Sequence, residues 1–88
     1  MRFREASDMD ADLTYLVVLE PEGDGRLNVV VPALPEAHTW GDTPEQALAN
    51  AREVIQALLE DRRAHGEDIP PSDAPARIEH VTVRLPAA

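Results

Sequence analysis

At 88 residues with no cysteine, the chain is sized for one domain with a modest core, and neither disulfides nor thiolate metal ligands can support it. Seventeen acidic residues against eight arginines give a net charge of −9. That argues against direct nucleic-acid binding, because phosphate contacts need a basic surface, and it favours a basic partner. No apolar run follows Arg2 and Arg4 as a signal peptide requires, and no apolar run is long enough to span a membrane, so a cytoplasmic location is expected.

Residues 1–12 are mixed and acidic and read as a flexible N-terminal segment preceding a single domain over 13–88. Asp8, Asp10 and Asp12 alternate, but the glycine bend and distal glutamate of a calcium loop are missing. Residues 13–20 are rich in β-branched and aromatic types and predict a strand. Tyr15, Val17 and Leu19 share one face; Leu16 and Val18 share the other. Pro21 to Gly25 is a turn by composition, and residues 26–31 predict the second strand of a hairpin. Leu27, Val29 and Val31 continue the apolar face, which should meet a helix; Val30 joins the mixed face. One helix cannot cover both sides of a sheet, so the face bearing Leu16, Val18 and Val30 is expected to be a partner surface or partly wet.

Pro32 and Pro35 end the second strand. Residues 37–40 predict a short third strand, with Trp40 read as a core or rim packing residue. The most strongly patterned stretch follows. Thr43 and Gln46 have the spacing of a capping box, and Pro44 stands at the first helical position. Ala47, Leu48, Ala51, Val54, Ile55, Leu58 and Leu59 then recur at helical spacing until Arg62, Arg63, His65 and Gly66 signal the end. A helix over about 44–65 would be roughly 33 Å long. After a proline-rich connection, residues 77–85 alternate, with Val81, Val83 and Leu85 on one side, and predict a final strand. The expected architecture is α+β, in the order β-β-β-α-β: a small, mostly antiparallel sheet covered by one long helix.

The residues give little sign of chemistry. His38, His65 and His80 lack mutual ligand spacing. The only serines, Ser7 and Ser72, lie in irregular segments, and no phosphate-binding glycine motif is present. No catalytic residue, cofactor or metal site is expected.

One combination of motifs is more specific. The run Asp24-Gly25, Val29-x-Val31-Pro32-x-Leu34-Pro35 is followed by Gly41-Asp42-Thr43-x-Glu45-x-Ala47, Asn50-Ala51 and Gly66-x-x-Ile69-Pro70. Over residues 13–85 this resembles the HicB-like antitoxins of type II toxin–antitoxin systems. The resemblance implies a partial ribonuclease-H-like fold without a working nuclease site. It further implies binding to HicA, a small basic RNA-cleaving toxin whose catalytic surface the antitoxin covers. The acidic charge suits such a partner. The chain departs from the family at Pro35-Glu36-Ala37, where a Pro-Gly-Cys pattern is common. It also ends at Ala88, without the DNA-binding domain that many members carry, so no direct nucleic-acid contact is expected.

The expected function is therefore non-catalytic toxin binding, with Glu20, Glu22, Asp24 and Glu36 at the rim of the contact. The alternative is an orphan homo-oligomeric structural or regulatory protein that buries Leu16, Val18 and Val30 between copies; the two readings are compatible. A third, remoter reading is a small nuclease-like hydrolase, retained because the related fold includes nucleases. Thr43 and Gln46 are assigned to the helix cap.

Overall fold

The computed structural model describes residues 12–88; Asp8, Asp10 and the rest of the N-terminal segment up to residue 11 lie outside the described residues. Three strands precede one long helix: β1 (Val18–Pro21), β2 (Leu27–Val30), β3 (Thr39–Gly41) and α1 (Pro44–Ala64). The strands form one antiparallel sheet in the order β1-β2-β3. Val18 stands opposite Val30 and Glu20 opposite Asn28, while Asn28 also faces Trp40. Residues 13–17, expected as part of the first strand, run into β1 without entering the ladder.

The hairpin is closed by Glu22 N–H donating to the Arg26 carbonyl (2.7 Å) and Gly25 N–H donating to the Glu22 carbonyl (3.0 Å). Gly25 sits at φ +91°, in the left-handed region that glycine enters without a Cβ penalty. Between β2 and β3, two successive turns are closed by Leu34 N–H to the Val31 carbonyl and Ala37 N–H to the Leu34 carbonyl, each 2.9 Å. The second turn spans Pro35-Glu36. It drives Leu34 into the core, where it is fully buried.

The core lies between the sheet and α1. Val29, Val31, Leu34, Ala37, Ala47 and Ala51 are buried, and Tyr15, Val17, Leu19 and Leu27 pack against them. The apolar face of the hairpin thus meets the helix, as its alternation predicts. Small residues at 47 and 51 let the helix approach closely. At Gly41 a Cβ would collide with the Ala47 backbone, so strand and helix touch there without intervening side chains. Leu48, expected on the apolar face, is 50% exposed, because α1 packs mainly on β3 and β2 and this side chain is not over a strand.

Thr43 Oγ1 accepts the Gln46 N–H (3.1 Å), and Gln46 Oε1 accepts the Asp42 N–H (2.6 Å). Glu45 occupies the first turn and Arg62 and Arg63 the last, complementing the helix dipole. The helix ends with Glu67 N–H donating to the Arg62 carbonyl (2.8 Å) and Gly66 at φ +69°. Asn50, whose role the sequence leaves open, donates from α1 to the Trp40 carbonyl on β3 (2.8 Å). Among the described residues no helix is long and apolar enough to cross a membrane.

The expected final strand at 77–85 is absent. Its alternation is intact, but among the described residues it pairs with no strand: Val81 is 84% and Leu85 91% exposed. A strand exists through its ladder, and among the described residues no sheet edge of the same copy pairs with this segment.

Candidate functional site

With α1 on one side, the sheet's other face is open. Period-two alternation puts Val18 and Glu20 of β1, Asn28 and Val30 of β2 and Trp40 of β3 on that face. Val30 is 37% and Trp40 44% exposed, so of the two places expected for Trp40 the core is excluded: it stands on the open face, on the edge strand β3. Packing explains this. Gly41 is the strand residue pressed on the helix, and its neighbour must point the other way.

The Arg26 guanidinium lies over the Trp40 ring, 4.6 Å from its centroid. Its Nε is 3.2 Å from Asp24 Oδ2 yet makes no aligned hydrogen bond, so the contact is an ion pair only. Asp24 Oδ1 accepts the Arg26 backbone N–H (2.9 Å), which fixes the carboxylate. Glu22 Oε2 accepts from Asn28 Nδ2 (2.7 Å). A shallow hollow of about 330 Å³ is lined by Glu20, Asn28, Val30, His38, Thr39 and Trp40. The face thus offers the exposed Trp40 and Val30 side chains on either side of the polar Asn28, with carboxylates along the hairpin border.

The four carboxylates considered from the sequence part company here. Glu20, Glu22 and Asp24 stand together on and beside the hairpin. Glu36 is elsewhere: its Oε2 accepts from Arg62 Nη2 (2.6 Å), tying the β2–β3 loop to the end of α1. That bond, together with the guanidinium charge, holds the Glu36 carboxyl below and the Arg62 guanidinium above their ordinary values. Arg62 Nη1 also donates to the Asp68 carbonyl (3.1 Å). Leu16 and Val18 are half-buried, and the Leu16 N–H donates to Asp73 Oδ2 (2.8 Å).

A second concavity lies on the helix side, beneath the run-in to β1. About 810 Å³ is bounded by Leu13, Tyr15, Val17, Leu48, Ile55 and Leu59, among others. Tyr15 donates its hydroxyl to the Pro70 carbonyl (2.5 Å); burial, then the nearby Asp73 carboxylate, raises its pKa. Among the described residues, no three histidine or carboxylate side chains gather as a metal site would require.

The model of the HicB-like antitoxin of bacterial toxin–antitoxin systems matches residues 15–85. A UPF0150 protein of Thermoplasma acidophilum is 39% identical over 71 residues, covering 81% of this chain and 97% of its own. Antitoxin HicB 1 of Photorhabdus laumondii is 36% identical over 77 residues, covering 88% of this chain and 49% of its own. Among solved structures, the N-terminal domain of the Burkholderia pseudomallei antitoxin HicB superposes with a TM-score of 0.60 at 29% identity, over 67% of this chain and 69% of that one. Sequence and fold agree, and the chain belongs to the HicB-like antitoxin family.

Proposed function

We propose that the chain is a non-catalytic, cytoplasmic antitoxin module that neutralises a small basic RNA-cleaving toxin of HicA type by covering its active surface. The observation that carries this reading is the open sheet face: Trp40 and Val30 stand exposed beside the Glu20, Glu22 and Asp24 carboxylates. An exposed aromatic anchor supplies contact energy, and the acidic border steers a basic partner and fixes its orientation. The net charge of −9 acts in the same direction. Glu36 contributes less than the other three, because its carboxylate already serves Arg62.

The test is titration of the chain into a HicA-type toxin encoded beside it, reading RNA cleavage. Equimolar chain should abolish cleavage. Trp40→Ala combined with Val30→Asp should raise the concentration needed by at least about tenfold, the size of a 1.4 kcal/mol loss, with an unchanged helical signal. Undiminished cleavage in the presence of excess wild-type chain would refute the reading.

A further inference from the structure

We propose that residues 77–85 form a fourth sheet strand on a second copy of this chain. The segment adds along the outer edge of β1, with Val81, Val83 and Leu85 seated in the groove between the run-in to β1 and α1. The inference is independent of the toxin reading.

Three observations converge on it. The first is an acceptor without an occupant. Among the described residues β1 pairs on one side only, and between its run-in and α1 lies an open groove of about 810 Å³, in which Leu13, Val17, Leu48, Ile55 and Leu59 give an apolar floor and Arg52, Glu60 and Arg63 stand among the polar residues that line the rest. The groove runs along α1 from Leu48 to Arg63, about 22 Å at 1.5 Å per residue, and a nine-residue strand of about 30 Å is long enough to line it. The second is a donor without an acceptor. Residues 77–85 alternate, carry adjacent β-branched Val81, Thr82 and Val83, and leave every large apolar side chain in solvent.

The third is charge. Residues 77–85 hold Arg77 and Arg84 against Glu79, net +1, so the rest of the chain holds −10 of the total −9. A slightly basic strand suits an acidic copy of the same chain, and a basic toxin would gain nothing from it. The arm also leaves from the right place. Thr14 N–H donates to Ser72 Oγ (2.9 Å), and Asp73 N–H donates to the Thr14 carbonyl (2.8 Å). The connection is thereby anchored beside β1 just before the arm departs. Two copies related by a two-fold axis can exchange arms reciprocally, each filling the other's groove and closing the assembly.

The experiment uses the chain alone. Light scattering should give twice the 9.7 kDa chain mass for wild type. It should give a single chain mass for Val81→Asp/Val83→Asp, whose sites are solvent-exposed within one copy, so the helical signal should persist. A mixture of carbon-isotope-labelled and unlabelled wild-type chains should show intermolecular proton contacts from the Val81, Val83 and Leu85 methyls to those of Leu48 and Ile55. A monomeric wild type would overturn the proposal, as would an unaffected double variant or contacts found only within one copy.

Discussion

Replacing Gly41 by alanine puts the close approach of β3 to α1 to the test. The added Cβ would lie 2.6 Å from the Ala47 Cα and 2.9 Å from the Gln46 carbonyl carbon, and nearer still to the Ala47 nitrogen. All three are backbone atoms, so no side-chain rotation relieves the collision. Strand β3 and the first turn of α1 must separate by roughly an ångström to restore ordinary carbon contact distances. The separation occurs where Ala47 and Ala51 are buried, so it also loosens the packing around Leu34 and Val31. Overpacking of this kind costs about 1–3 kcal/mol, and the forced backbone shift places Gly41→Ala at the upper end. A chain of this size has a total stability of roughly 4–13 kcal/mol. A loss of about 3 kcal/mol would lower Tm by roughly 12–24 °C, measurable by circular dichroism. The control is Gly23→Ala, where a Cβ meets nothing within 4 Å. If Gly41→Ala melted within a degree or two of Gly23→Ala, the argument that bare backbone contact joins strand to helix would be wrong.

Other consequences follow from the caps and ion pairs. Thr43→Ala should cost about 1 kcal/mol by urea denaturation, the usual value of an N-cap oxygen; the Asp42–Gln46 bond remains and keeps the loss from growing. The Arg62 bond lowers the folded-state pKa of Glu36. Its stabilisation is therefore present above the ordinary glutamate pKa of about 4.3 and is lost as pH falls through the depressed folded value. Glu36→Gln should flatten that part of the pH–stability curve. His65 has the opposite sign: its bond to the Asp61 carbonyl and the Asp61 charge raise its pKa. Its contribution is present below about 6.5 and is lost as pH rises through the raised folded value. His65→Ala should remove that decline.

The parts of this fold that depend on near neighbours were legible in the sequence. The capping stretch and apolar stripe locate the helix from Pro44 to Ala64, and alternation in the hairpin puts Val29 and Val31 under it. The parts that depend on partners distant in sequence were not. Nothing local to Glu36 announces Arg62, 26 residues on, so a carboxylate that reads as free is engaged. Trp40 reads equally as core or rim from the sequence; its exposure follows from Gly41 touching the helix, a fact of packing. Leu48 is on the helix's apolar stripe but not over a strand, because α1 lies toward β3. Residues 77–85 have the pattern of a strand, yet pattern specifies which side chains share a face and not which edge receives them.

The Asn50 bond to the Trp40 carbonyl has a bearing on assembly. It occupies the outward acceptor of β3, so that border of the sheet is already blunted by a side chain from α1. Lateral growth is then one-sided. The β1 border is left as the readier one for another polypeptide, and border-to-border stacking into an indefinite ribbon is disfavoured. Removing this one amide should make the chain more prone to fibrous aggregation before it makes it measurably less stable.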